Sequence, residues 1–128
     1  MGRIITMVTI ENALAPAHRI ICDALVDTGA SLMVLPLAWK GKLGEIQTAR
    51  RTEVELANQT SLPAEICGPV KLTIAGFAPI FTEVLFIEMG ILSGEYEPLL
   101  GYIPLEQCQA AVDMLGHRLC HVKMLDLK

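Results

Sequence analysis

The sequence has few charged and few aromatic side chains. Of its 128 residues, 19% are charged and 5% are aromatic, whereas 52% are hydrophobic. The formal net charge is −4 and the isoelectric point is near 5.3. This acidic balance argues against a protein that binds nucleic acid through bulk electrostatic attraction. The high apolar content indicates that some apolar surface is covered by a partner.

The sequence also lacks membrane and targeting signals. No apolar run reaches the roughly 18 residues that a membrane-spanning helix requires, so we expect no membrane contact. The chain does not open on a charged and then apolar signal segment, which predicts a cytoplasmic location. Its length is that of one domain, which covers residues 1–128.

Closely spaced cysteine pairs of the kind that bind metals are absent too. The four cysteines are Cys22, Cys67, Cys108 and Cys120. Their scattered spacing predicts no metal site, and without a secretion signal we expect reduced thiols in the core. A disulfide framework is the alternative.

What the sequence does contain is a series of short apolar segments separated by turn residues. The predicted strands cover residues 4–10, 19–26, 52–57, 62–67, 70–74 and 79–87. Gly68 and Pro69 break the pattern between two of these strands. Pro36 predicts a short helical turn that ends near Gly41 or Gly44. Since strands dominate, the predicted fold class is all-β.

The most informative segment is Asp27-Thr28-Gly29-Ala30-Ser31, which lies between two apolar runs. A carboxylate between two buried strands is expensive to remove from water unless specific groups hold it. Thr28 offers a hydroxyl, Gly29 allows close backbone approach, and the two small residues that follow keep the turn uncrowded. On this segment alone, an aspartate that caps a turn through its side chain is the simpler interpretation.

A second motif supports a functional interpretation of the first one. Residues 98–101, Pro-Leu-Leu-Gly, precede a helical pattern at 102–108 and strand patterns at 110–114 and 118–122. Over roughly residues 20–123, the chain resembles the retropepsin-like aspartic proteases in the order and spacing of these motifs. The resemblance implies a small, closed, β-barrel-like fold with one or two short helices and a flap hairpin.

The resemblance also assigns roles within the first motif. It makes Asp27 the catalytic residue, and one aspartate per chain implies that two chains form one site. Thr28 resembles the residue whose hydroxyl bonds across the dimer axis. Gly29 and Ala30 match positions where the substrate backbone passes, and Ser31 matches a position at the cleft.

Further roles fall on residues outside that motif. The resemblance places Val34 and Leu99 in the substrate pocket, although composition alone favours the core for both. Leu100 and Gly101 match the element that lies close to the catalytic loop.

Residues 54–68 resemble the flap hairpin, with its tip at Ala57, Asn58, Gln59 and Thr60. A flap closes over the substrate and excludes water. Family flaps often carry glycine at the tip, and this segment has none there. An ordinary surface hairpin is therefore the alternative.

These features predict an aspartic endopeptidase that acts on peptide or protein substrates as a homodimer. Two aspartates within hydrogen-bond reach share one proton, so the pair activates a water molecule without a metal or a cofactor. Twofold symmetry provides the second aspartate. Two alternatives remain open: a catalytically inactive peptide-binding or scaffold dimer of the same fold, and a hydrolase that uses Asp27 with a glutamate of the same chain.

Overall fold

The computed structural model describes residues 3–55, 59–90 and 95–122. Within these ranges the chain forms nine strands and two short helices. The strands are β1 (Ile5–Asn12), β2 (Ala15–Val26), β3 (Met33–Pro36), β4 (Thr48–Glu55), β5 (Ser61–Ile74), β6 (Ile80–Ile87), β7 (Leu99–Leu100), β8 (Ala110–Asp113) and β9 (Arg118–His121). The helices are a 3₁₀ helix (Leu37–Leu43) and α1 (Tyr102–Gln107). The predicted all-β class is confirmed.

Seven of the strands form one sheet, in the order β1-β2-β7-β3-β6-β5-β4. β1 also pairs antiparallel with β5, from Val8 opposite Ile74 to Asn12 opposite Val70. Because this pairing joins an end strand to the far side of the same sheet, the sheet curls into a closed, barrel-like shape. β8 and β9 form a separate two-stranded sheet.

The two-residue strand β7 brings distant parts of the chain together. Leu100 pairs in parallel with Val26, the last residue of β2, and antiparallel with Met33, the first residue of β3. Residues 27–32 connect β2 to β3, so both ends of this loop are attached to β7.

Apolar side chains form two separate clusters. The larger one, here called the main core, has the buried members Val8, Ile10, Ile20, Ala24, Met33, Leu35, Leu43, Cys67, Val70, Leu72, Ile74, Val84, Phe86, Leu100 and Leu105. The smaller one, here called the cleft cluster, has the buried members Leu32, Ala64, Ile66, Leu85 and Ile87. β6 contributes to both, since successive side chains of a strand point to opposite faces.

The predicted break at Gly68 and Pro69 is wrong. β5 continues through both residues, and its register with β6 shifts between Cys67 and Val70. Pro69 has no N–H, but its carbonyl accepts a hydrogen bond from the N–H of Ala13 at 3.1 Å. The backbone therefore stays paired across the proline, as it does at a β-bulge.

The other predicted strand and helix boundaries differ less from the structure. β2 begins at Ala15 instead of residue 19, and β4 begins at Thr48 instead of residue 52. The helical turn predicted after Pro36 is confirmed and ends at Leu43. Gly44 follows with a φ of 68°, a left-handed conformation that glycine adopts without steric cost. No helix in the described part of the chain is long and apolar enough to cross a membrane.

The four cysteines are free thiols at separate places in the fold. Cys67 belongs to the main core, and Cys22 and Cys108 pack against it. Burial, reinforced by the nearby Asp23 carboxylate, raises the pKa of the Cys22 thiol to about 11. At neutral pH this thiol is therefore protonated and unreactive. Among residues 3–55, 59–90 and 95–122, no group of three or more His, Cys, Asp or Glu side chains is placed to hold a metal ion.

Candidate active site

Asp27 begins the loop that connects β2 to β3. Its N–H donates a hydrogen bond to the carbonyl of Leu100 at 3.0 Å. Its Oδ1 accepts a hydrogen bond from the N–H of Gly29 at 2.9 Å, and its carbonyl accepts one from the N–H of Ala30 at 3.0 Å. The backbone and one carboxylate oxygen are therefore held in place, while the half-buried side chain lines a cleft.

The bond from Gly29 also fits an aspartate that only caps a turn. Two observations go beyond a capping role. A Cβ on residue 29 would lie 3.1 Å from Asp27 Oδ1, so glycine keeps the surroundings of the carboxylate uncrowded. The carboxylate also lines a cleft of about 610 Å³ instead of lying on a plain surface turn.

The loop is held from behind by Gly101. The N–H of Gly101 donates to the carbonyl of Leu32 at 3.1 Å, and the N–H of Tyr102 donates to the carbonyl of Ala30 at 2.9 Å. A Cβ on Gly101 would lie 2.5 Å from the Leu32 oxygen and 2.6 Å from the Ala30 oxygen. No side chain fits in this contact, so the glycine of the second motif is required by the close approach of the first.

The cleft beside the loop has a volume of about 610 Å³. The larger apolar side chains that line it are Leu32, Val34, Val54, Leu62, Leu85, Ile87, Met89 and Leu99. The structure thus brings Val34 and Leu99, the two residues predicted for the pocket, to the same cleft as Asp27. Its size and apolar lining suit the side chains of a bound peptide.

The other residues predicted for the active-site loop divide into two groups. Gly29, Ala30 and Ser31 line the cleft together with Asp27. Thr28 does not line it and is exposed in the single chain. Leu100, in contrast, is fully buried in the main core, beneath the loop that its carbonyl anchors.

The hairpin of β4 and β5 borders the cleft. Val54 and Leu62 are directly opposite each other in the two strands, and both line the cleft. Of the four residues predicted for the flap tip, Ala57 and Asn58 lie outside the described residues, while Gln59 and Thr60 are exposed. Gln59 has a φ of 67°, so a glutamine adopts the left-handed turn conformation that glycine would adopt at lower cost.

Two acidic residues at the cleft were missed from the sequence. Glu88 follows β6 and Glu97 precedes β7, and both line the cleft with Asp27. Arg3 Nη2 lies 2.7 Å from Glu97 Oε1. The only signal for Glu97 in the sequence is its position directly before the second motif, and no pattern distinguishes Glu88 from other surface glutamates.

A polar contact connects the base of the hairpin to the 3₁₀ helix. Lys40 Nζ lies 2.6 Å from Glu65 Oε1 and 3.1 Å from Thr48 Oγ1. Thr48 Oγ1 in turn lies 3.2 Å from Glu65 Oε1. The hydrogen bond from Lys40 is the main cause that lowers the pKa of the Glu65 carboxyl below its usual range. We call these three residues the polar brace.

Comparison with known proteins identifies the fold. No protein-family model matches the sequence, and no curated protein matches it. Among solved structures, the fold is similar to that of EIAV protease in complex with the inhibitor HBY-793. The match has a TM-score of 0.65 at 21% identity, and it covers 88% of this chain and 93% of that chain. The chain therefore has a retropepsin-like fold, as the two motifs predicted.

Proposed function

We propose that the protein is an aspartic endopeptidase, active as a homodimer, in which Asp27 and its symmetry mate hydrolyse peptide bonds. One observation carries the proposal. In a retropepsin-like fold, the Asp27 loop is bonded to the glycine of the second motif, and its carboxylate lies at an apolar cleft of about 610 Å³. This arrangement supplies a positioned carboxylate and a space for a peptide next to it.

The chemistry needs two carboxylates in different protonation states. Like charges in close contact cannot both ionise cheaply, so the pair holds one proton. The ionised aspartate removes a proton from a water molecule, which attacks the peptide carbonyl carbon, while the protonated aspartate donates to the carbonyl oxygen. The proposal therefore involves no metal and no cofactor.

Symmetry is the source of the second aspartate. Each chain contributes one Asp27 loop, and a twofold axis beside the loop brings two of them together. In this dimer Thr28, which is exposed in the single chain, bonds across the axis. Val34 and Leu99 contact apolar substrate side chains, and the β4–β5 hairpin covers the substrate with its tip at residues 57–60.

The test is cleavage of a peptide library by the wild-type protein, with Asp27→Asn as the matched control. The amide has nearly the same shape as the carboxylate but cannot take a proton from water, so kcat/KM should fall by roughly 10³-fold or more. Sedimentation should show the same dimer for both proteins. Full activity in the variant would end the proposal, and binding of peptides without cleavage would identify a peptide-binding or scaffold dimer instead.

One observation favours a second candidate. Glu88 and Glu97 line the same cleft as Asp27. The competing hypothesis is therefore a hydrolase that uses Asp27 with a glutamate of the same chain. Dilution separates the two candidates. A site shared between chains loses specific activity as the dimer dissociates, whereas a site within one chain keeps the same specific activity at every concentration.

A further inference from the structure

Every ionisable side chain that lines the cleft within the described ranges is a carboxylate. These side chains are Asp27, Glu88 and Glu97. The rest of the lining is mostly apolar, and low-dielectric walls strengthen the field of the charges between them. A ligand that places a cation in the cleft is therefore attracted, and one that places an anion there is repelled.

The two glutamates differ in their partners. Arg3 forms an ion pair with Glu97 at 2.7 Å, which offsets much of the negative charge of Glu97. Glu88 is exposed and forms no ion pair with any residue in the described ranges. Besides Asp27, it is therefore the cleft carboxylate that is available to a ligand.

The position of Glu88 also connects it to the apolar part of the cleft. β6 ends at Ile87, which belongs to the cleft cluster, and Glu88, Met89 and Gly90 continue along the same cleft. Successive residues of an extended peptide are about 3.3 Å apart. A peptide that fills the apolar part with one side chain therefore carries its neighbours past Glu88.

On the basis of the proposed function, we propose that the cleft selects peptides that carry lysine or arginine close to apolar residues. Glu88 is the specificity-determining residue that binds this cation. Glu97 contributes less because its carboxylate forms an ion pair with Arg3. The net charge of −4 acts in the same direction, since it favours the approach of basic peptides.

The test uses fluorogenic peptides with an apolar centre, in which one flanking position holds either lysine or norleucine. Norleucine keeps the apolar stem of lysine and removes the charge. The ratio of kcat/KM for the two peptides reports the charge preference at each position. At the preferred position, the wild-type ratio should be about two to five, the range expected of an exposed ion pair. The ratio should fall as salt is added.

Three variants locate the origin of the preference. Glu88→Gln should remove most of it. Glu95→Gln is the matched control, because Glu95 is exposed, carries the same charge and lines a different groove with Trp39 and Tyr96. This variant should keep the wild-type ratio. Arg3→Gln should raise the ratio, because it frees the carboxylate of Glu97. A wild-type ratio that survives in Glu88→Gln, or no preference at any position, would overturn the inference.

Binding to Asp27→Asn, measured by fluorescence anisotropy with the same peptides, separates this inference from the proposed function. If the lysine peptide binds preferentially but wild type cleaves nothing, the endopeptidase proposal fails and the cation site stands. If wild type cleaves both peptides equally, the cation site fails and the endopeptidase stands. Absence of both binding and cleavage refutes both.

Discussion

The main core and the cleft cluster are built from the same kinds of side chain, yet the chain covers them differently. Along β6, Val84 and Phe86 belong to the main core and are 0% exposed, whereas Leu85 and Ile87 belong to the cleft cluster and are 8% and 7% exposed. In the main core, other strands cover both residues. In the cleft cluster, part of the covering layer is an open cleft. The comparison indicates that the first cluster stabilises the fold, whereas the second borders the proposed substrate site.

The polar groups near the two clusters show the same contrast. The buried polar residue of the described chain is Asn12, whose Nδ2 donates to the carbonyl of Leu43 at 2.8 Å and whose Oδ1 accepts from the N–H of Leu14 at 3.0 Å. It is satisfied within the chain. At the cleft, Glu88 has no ion-pair partner among the described residues. A polar group that serves the fold has its partners in the fold.

The largest effect is expected from a comparison of two leucines in the same strand, β5. Leu72 is fully buried in the main core, whereas Leu62 is half-buried at the cleft. Leu72→Ala should lower the free energy of unfolding by about 2–5 kcal/mol, because it leaves a cavity. Leu62→Ala should lower it by about 1 kcal/mol or less, but should raise the KM for apolar peptides. Urea unfolding and peptide kinetics measure both effects.

Equal destabilisation by the two substitutions would contradict the division of roles. It would mean that the cleft side of β5 is as important for folding as the core side. An unchanged KM in Leu62→Ala would remove this part of the hairpin from the substrate site.

A smaller effect is expected at the contact between the loop of residues 27–32 and Gly101 of the second motif. Gly101→Ala forces a Cβ against the carbonyl oxygens of Leu32 and Ala30, so it should destabilise the protein by about 1–3 kcal/mol. Because the shift displaces the Asp27 loop, kcat should fall by about tenfold or more. Gly41→Ala is the control, since no atom lies within 4 Å of its added Cβ.

The control should have full activity and unchanged or slightly higher stability. Thermal unfolding and peptide cleavage distinguish the two glycines. If Gly101→Ala kept full activity, the hydrogen bonds between residue 101 and the loop would not be what positions Asp27.

Much of this contrast could be predicted from the sequence, because local patterns carry it. The apolar run at residues 79–87 predicts strand β6, and the two motifs locate the aspartate and the glycine that supports it. The structure adds that Val54 and Leu62 lie opposite each other on the side of β4 and β5 that faces the cleft. The strands depend on neighbouring residues alone, whereas the role of Asp27 also depends on the resemblance that includes residues 98–101.

The parts that could not be predicted depend on residues far apart in the chain. Glu88 and Glu97 reach the cleft only because β6 and β7 both flank β3 in the sheet. The continuity of β5 across Pro69 depends on a hydrogen bond from Ala13, more than fifty residues earlier. The left-handed conformation of Gln59 has no sequence signal, since glycine is the residue expected there.

The smallest expected effect concerns the polar brace, which borders both clusters. Glu65 lies on β5 between Ala64 and Ile66 of the cleft cluster, while Thr48 Oγ1 lies 3.7 Å from the sulfur of Cys67 in the main core. The hydrogen bond from Lys40 lowers the pKa of Glu65 in the folded protein relative to the unfolded chain. The stabilisation is therefore present above the usual carboxyl pKa and is lost as pH falls through the lower, folded value.

We therefore expect Glu65→Gln to lower the free energy of unfolding by about 0.5 kcal/mol or less at neutral pH, because the ion pair is partly exposed. The difference from wild type should shrink as pH falls below about 4.5. Urea titrations at several pH values measure it, and the same substitution in a Lys40→Met background should weaken the pH dependence, leaving the smaller contributions of Thr48 and Arg51. A difference that grows in acid would show that the Lys40–Glu65 ion pair is not its source. A loss of several kcal/mol at neutral pH would show that the border between the clusters is held by charge instead of by apolar packing. The main core would then not be the principal source of stability, contrary to the comparison between the two clusters.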